Sequence, residues 1–107
     1  MVAIEIPVSV QKCKEVLAAH YGGRLRGVIL YGSQARNQAA PESDIDLLVL
    51  LDSPFNYFTE LRRLVDLLYP IQLESDRLIS AKPVSEGDFT AGSISLYRNA
   101  RRDGIAV

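Results

Sequence analysis

The stretch that decides the fold is Gly32-Ser33, ten intervening residues, and then Asp44-Ile45-Asp46, written G-S-x10-D-x-D. The apolar run 27–31 leads into it and predicts a buried strand. The segment 43–51 is apolar apart from its two aspartates, which predicts a second buried strand. Between the strands, Gly32 has no Cβ, so the backbone can turn there and a ligand can approach closely.

The two aspartates are predicted to point in the same direction. Residues i and i+2 of a strand share a face, so Asp44 and Asp46 project together while Ile45 and Leu47 face the core. Paired carboxylates repel unless a cation lies between them, and magnesium prefers one or two carboxylates together with substrate phosphates. An isolated D-x-D is more simply a solvated strand end. Two polar positions in an apolar strand beside a Gly-Ser turn favour a functional site, because burying them is costly.

The Gly-Ser turn has the features of a phosphate-binding loop. Ser33 is placed near the start of a short helix, where free N–H groups favour a phosphate. Arg36 lies three residues later and shares that helical face, so its spacing fits either a phosphate contact or a surface arginine. A P-loop is excluded, because no Gly-Lys-Ser/Thr follows at the required distance.

Two segments together resemble the signature of a known family. Tyr31-Gly32-Ser33-Gln34-Ala35-Arg36 followed by Ser43-Asp44-Ile45-Asp46-Leu47-Leu48-Val49 is similar to the motif of the minimal nucleotidyltransferases, small members of the DNA polymerase β superfamily. The resemblance implies an α/β (α+β) nucleotidyltransferase fold, a small mixed sheet flanked by helices. It also implies catalytic, magnesium-binding aspartates and a set of nucleotide-binding residues: Asp44 and Asp46 in the first role, and Gly32, Ser33, Arg36 and Ser43 in the second.

The family usually carries a third carboxylate on the strand after the next helix. That strand is predicted within 77–84, and the best-matching position is Ser80, which is not acidic. Glu74 and Asp76 lie just upstream and would substitute only in a different register. Because the third carboxylate completes the metal site and can activate the attacking hydroxyl, its loss points to weak activity, another base or no turnover.

The resemblance implies transfer of AMP from ATP to a hydroxyl acceptor. Two magnesium ions held by Asp44 and Asp46 would polarise the α-phosphate and stabilise the departing pyrophosphate. Many family members are antitoxins encoded beside HEPN-domain toxins, which makes such a protein the expected partner and acceptor. The alternative is a nucleotidyltransferase-fold binding module that neutralises its partner by contact alone.

Composition limits the remaining possibilities. The chain has 107 residues, which predicts one nucleotidyltransferase domain over 1–107, and an oligomer of one or two chain types remains open. Its net charge of −1 disfavours direct nucleic-acid binding. Cys13 is the only cysteine, so it cannot form an internal disulfide and a zinc site is disfavoured. No segment reaches the roughly twenty apolar residues of a membrane span, and a cytoplasmic protein is expected.

Periodicity and breakers predict the other elements. A first helix is predicted from about Pro7 or Ser9 to His20. A second, over 56–68, has an apolar face and is closed by Pro70, with a final helix over 93–102 and an extended tail over 105–107. The predicted apolar face of the second helix consists of Phe58, Leu61, Leu64, Val65 and Leu68.

Overall fold

The computed structural model describes residues 6–32 and 44–107. The described elements are α1 (Val8–Tyr21), a short 3-10 turn (Gly22–Arg24), β1 (Leu25–Tyr31), β2 (Ile45–Leu51), α2 (Tyr57–Glu74), β3 (Ile79–Ser85), α3 (Glu86–Ala91), α4 (Ser95–Asp103) and β4 (Ile105–Ala106). The predicted first helix and the two motif strands are therefore confirmed, with β2 beginning one residue after Asp44.

The strands form one mixed sheet in the order β3-β2-β1-β4. β1 pairs antiparallel with both β2 and β4, whereas β2 and β3 are parallel. Parallel neighbours need a long crossover connection, and α2 provides it. The fold class predicted from the sequence, a small mixed sheet with flanking helices, is confirmed.

β2 is buried on both faces of the sheet. Ile45 and Leu47 are 1% and 0% exposed and belong to the larger core cluster, beneath α1 and α2. Leu48 and Leu50 point the other way and pack with Phe89 of α3 in a second cluster. The apolar run of β2 thus reflects burial on two sides, and Asp46 belongs to the face covered by α3 and α4.

The end and the buried face of α2 differ from the prediction. The helix continues through Pro70 to Glu74, because Leu68 and Ile71 are buried on both sides of the proline and their packing outweighs the hydrogen bond that Pro70 removes. Phe58 and Val65 were predicted to face the core, but they are 77% and 60% exposed. α2 carries two apolar stripes, and only one of them meets the sheet.

Glu60 takes one of the buried positions on α2 and is 5% exposed. The Tyr21 hydroxyl donates to its Oε1 at 3.0 Å, and the Arg63 guanidinium donates to both carboxylate oxygens at 2.9 Å. Burial, and then the bond to Glu60, raise the pKa of Tyr21 to about 12. This satisfied network explains how a carboxylate is tolerated between α1 and α2.

The C-terminal region contains two helices where one was predicted. Gly92, with φ +64°, ends α3, and Ile94 precedes α4. The Arg98 and Arg101 guanidinium groups donate to the carbonyl oxygens of Gly92 and Thr90, which satisfies the open end of α3. Along 6–32 and 44–107, no helix is long and apolar enough to cross a bilayer.

Candidate functional site

Asp46 lies in a row of three side chains that crosses the sheet. In the strand register, Asp46 is opposite Tyr31 of β1 on one side and Ser80 of β3 on the other. Directly opposite residues project from the same face. Asp44 immediately precedes β2 and is exposed, and it is close enough to Asp46 to influence its ionisation. The structure thus brings the two predicted carboxylates together at the N-terminal end of β2, an interior strand of the sheet.

Gly32 is held against Asp46 where β1 ends. It adopts φ +79°, a left-handed conformation that favours glycine. A Cβ at this position would lie 3.0 Å from Asp46 Oδ2. The turn therefore needs glycine twice, for its backbone conformation and for the space beside the carboxylate.

Replacing Gly32 with alanine is expected to lower the free energy of unfolding by about 1–2 kcal/mol, the cost of a left-handed conformation in an L-residue. Chemical denaturation measures this change. The matched control is Gly32→Ala in an Asp46→Ala background, which keeps the backbone conformation at Gly32 and removes the Oδ2 atom that its Cβ would meet. A larger loss in the wild-type background than in the Asp46→Ala background then reports the contact with Asp46. Equal losses would contradict a steric role for that contact.

The pKa of the Asp46 carboxyl is raised above its ordinary value. Burial is the largest cause, the negative charge of Asp44 adds to it, and Lys82 opposes both. Asp46 therefore carries its charge at a cost, since burial disfavours the ionised form. A cation bound between the two carboxylates would remove that cost.

The raised pKa predicts how stability depends on pH when no divalent cation is present. The folded state holds the Asp46 proton more tightly than the unfolded state, so protonated Asp46 favours folding and this contribution is lost as the pH rises through the folded pKa. Asp46→Asn should therefore melt at a higher temperature than the wild type near neutral pH. The gap should close as the pH falls towards 3.8, the ordinary value for the carboxyl. Thermal melts in chelator measure it, and a lower melting temperature for the variant would contradict it.

Ser80, the best-matching position for the third carboxylate in the sequence, lies opposite Asp46 in the register of β2 and β3. Of the two acidic alternatives, Glu74 ends α2 and forms an ion pair with Lys12 of α1 at 3.3 Å, on the opposite face of the sheet from Asp46. Asp76 is exposed in the connection before β3. Among the described residues, no group of three or more His, Cys, Asp or Glu side chains is placed to hold a metal ion.

Three predicted nucleotide-binding residues, Ser33, Arg36 and Ser43, lie outside the described residues, and their roles stay predictions. Gly32 is the member of that set that the structure describes.

Tyr31, which lies opposite Asp46, and Tyr97 of α4 were not assigned functional roles from the sequence. Burial, then Asp46, then Tyr57 raise the pKa of Tyr31, and burial, then Asp88, then Tyr57 raise that of Tyr97. A pocket of about 110 Å³ lies between the β1 end and α4, with Tyr31, Gly32 and Asn99 among its lining residues. No local sequence signal connects these positions, because they come from distant elements.

The mixed sheet, with a glycine turn pressed against paired carboxylates, is typical of enzymes that transfer a nucleotidyl group. Residues 10–91 match the model of the nucleotidyltransferase domain, and the chain belongs to this family of transferases. The resemblance found in the sequence is thereby confirmed.

The relatives agree with this family. The chain is 33% identical over 97 residues to a protein of Methanocaldococcus jannaschii that is provisionally named a protein adenylyltransferase, covering 90% of this chain and 91% of that one. A crystal structure from Sulfolobus solfataricus, provisionally described as a nucleotidyltransferase, has a TM-score of 0.64 at 19% identity, over 92% of this chain and 76% of that one. A toxin–antitoxin structure with AMP-PNP has a TM-score of 0.54 at 18% identity, over 90% and 70%. The two structures show the shared fold.

Proposed function

We propose that this protein transfers AMP from ATP to a hydroxyl group of a partner protein, in a magnesium-dependent reaction. The observation that supports this most strongly is the position of Gly32 against Asp46, with Asp44 adjacent. The glycine keeps the space beside Asp46 Oδ2 free of a side chain, and the carboxylates supply the oxygen ligands that magnesium prefers. The proposal treats residues 1–107 as one nucleotidyltransferase domain.

The residues at the site fit a divalent cation. Asp44 and Asp46 would hold it, since burial and then the negative charge of Asp44 raise the pKa of the Asp46 carboxyl, a cost that a bound cation would offset. The missing Cβ of Gly32 leaves space beside Asp46 Oδ2 for a third oxygen ligand from the nucleotide. When bound, the cation would neutralise phosphate charge and polarise the α-phosphate.

The rest of the chemistry belongs to the protein and its substrates. Gly32 and Ser33 would hold the β- and γ-phosphates through backbone N–H groups, with Arg36 and Ser43 as further nucleotide contacts. The acceptor hydroxyl would attack the α-phosphorus in line, forming a new P–O ester bond while the bond to pyrophosphate breaks. Positioning and electrostatic stabilisation account for most of the rate in such reactions.

A protein is the acceptor that the relatives and the surface support. The M. jannaschii relative is named for protein adenylylation, and one structural neighbour is a toxin–antitoxin structure. The solvent side of α2 exposes Phe58, Val65, Tyr69 and Leu73, each more than half exposed. Apolar stripes of this kind commonly mark protein contacts. Together with the family resemblance found in the sequence, these features lead us to propose a HEPN-domain toxin as the partner, with this protein as its antitoxin.

One observation favours a second function. Ser80, the position that the resemblance predicts for the third carboxylate, lies opposite Asp46 and is not acidic, which favours a fold that neutralises a partner by contact without turnover. In this alternative the exposed surface of α2 binds the partner, and Asp44 and Asp46 are not needed to neutralise it.

The test incubates the protein with α-labelled ATP, magnesium and the protein encoded by the neighbouring gene. Transfer of label to that protein supports the enzyme. Neutralisation of the partner without label transfer, unchanged in Asp44→Asn and Asp46→Asn, would overturn the enzymatic function and support the binding module. Phe58→Asp is the complementary variant, because it alters the exposed stripe of α2 and should weaken the contact in either version.

A further inference from the structure

A lysine occupies the next position on the same face as the aspartate site. The register places Ser80 opposite Asp46 and Lys82 opposite Leu48, so Lys82 is the diagonal neighbour of Asp46. Long side chains reach across such diagonals. Lys82 is exposed, and in the ranges 6–32 and 44–107 it takes part in no ion pair. Its ammonium group is therefore free to meet an anion at the site.

The site has fewer positive charges than a bound triphosphate would require, and this ammonium group could supply one of them. Three carboxylates can hold two divalent cations around a reacting phosphate, as in two-metal enzymes. The described part of this chain offers Asp44 and Asp46 without a third acidic neighbour, which suits one cation. A triphosphate beside a single cation retains excess negative charge, and lysine is a point charge well suited to phosphate oxygens.

We propose that this site holds one divalent cation, and that the Lys82 ammonium supplies the second positive charge at the transferred phosphoryl group. The inference rests on the proposed nucleotidyl transfer and replaces the two magnesium ions predicted from the sequence. Lys82 changes no covalent bond. As the acceptor oxygen bonds to the α-phosphorus and the bond to pyrophosphate breaks, Lys82 stabilises the charge on the non-bridging oxygens, and the hydroxyl proton leaves to solvent.

The position of Lys82 is consistent with this arrangement, because it is close enough to the Asp46 carboxyl to act on it through space. The competing explanation is that Lys82 merely protects the edge strand β3 from pairing with other chains, a common role for lysine. That role predicts no effect on metal or nucleotide binding.

Metal binding tests the proposal without any catalytic readout. Titration of the protein with Mn²⁺, followed by electron paramagnetic resonance in the presence of a non-hydrolysable ATP analogue, should give one bound ion per chain. Ser80→Asp restores a third carboxylate opposite Asp46 and should give two. Two bound ions in the wild type, or one in Ser80→Asp, would overturn the proposal.

The lysine itself is tested by substitution. Lys82→Met should weaken binding of the ATP analogue and lower kcat about 100-fold, as for loss of one transition-state contact. Lys82→Arg should recover part of the rate, and Ser80→Asp combined with Lys82→Met should recover it through a second metal ion, with a steeper magnesium dependence. Lys12→Met is the control, because Lys12 pairs with Glu74 on the other face of the sheet.

The outcomes separate this inference from the proposed function. If the wild type transfers label and Lys82→Met is unchanged in rate and analogue affinity, the role of Lys82 is wrong and the transferase stands. If the wild type transfers no label, the metal count and the analogue affinity still decide the role of Lys82 at the site.

Discussion

Replacement of Asp46 with asparagine is expected to abolish nucleotidyl transfer, with a loss of about 1,000-fold or more in kcat. Asparagine keeps the shape of the side chain but removes the charge that would hold a divalent cation. Asp46 lies within the strand, with Tyr31 and Ser80 as its direct neighbours, so no described acidic side chain is placed to replace it. Asp44→Asn should cause a similar loss, because both carboxylates are needed to bind the same ion.

Label transfer from α-labelled ATP measures the rate. Asp52→Asn is the matched control, since Asp52 lies just beyond the opposite end of β2 and pairs with Arg26 on the surface at 3.6 Å. That variant should retain the wild-type rate. A thermal melt of Asp46→Asn under the assay conditions checks that a lost rate is not due to unfolding. A rate in Asp46→Asn within about tenfold of the wild type would contradict a metal-binding role for Asp46.

Much of the sheet could be predicted from the sequence, because the strands carry local signals. The apolar runs around Gly32 and Asp46 predict strands that form in the structure, and the turn residue between them has the left-handed conformation that glycine favours. The alternation of Asp46 with Leu47 also predicts which side chains enter the larger core. These features depend on neighbouring residues alone.

The errors came from features that only tertiary contacts determine. Phe58 and Val65 fit the helical period of α2, but period cannot tell which of two apolar stripes meets the sheet. Glu60 is a charged residue that local rules place in solvent, yet Tyr21 and Arg63 satisfy it in a buried position. Pro70 is a helix breaker by local rules, and packing on both sides of it carries the helix onward.

In the candidate site, too, some residues could be predicted from local sequence and others only from tertiary contacts. Asp44, Asp46 and Gly32 stand out by spacing, and the register of β3 against β2 supports Ser80 as the position of the missing carboxylate. The role proposed for Lys82 depends on that register, because only strand pairing places it diagonally from Asp46. Sequence reasoning assigned Lys82 no role for this reason.

Replacement of Gly104 with alanine is expected to cause the largest loss of stability, about 3 kcal/mol, as for a severe steric clash in a packed region. Gly104 joins α4 to β4, and its N–H donates to the Ala100 carbonyl oxygen at 2.7 Å. A Cβ there would overlap that oxygen, and it would lie 2.7 Å from Ile29 Cγ2 and 3.2 Å from the Leu30 carbonyl oxygen. Two of these three atoms are backbone, so they cannot move aside as a side chain can.

Thermal and urea unfolding measure this loss, which corresponds to a fall of roughly 15 °C in Tm for a chain of this size. Gly87→Ala is the matched control, because Gly87 lies in α3 with no atom closer than 3.8 Å to its Cβ position. It should be neutral or stabilising by up to about 1 kcal/mol, since alanine favours helix over glycine. If Gly104→Ala unfolded like Gly87→Ala, that result would contradict the tight pairing of β4 with β1 at Leu30 and Ile105. In the Gly104→Ala variant, the loosened pairing should also affect the turn beside Asp46, because Tyr31 and Gly32 follow Leu30 directly.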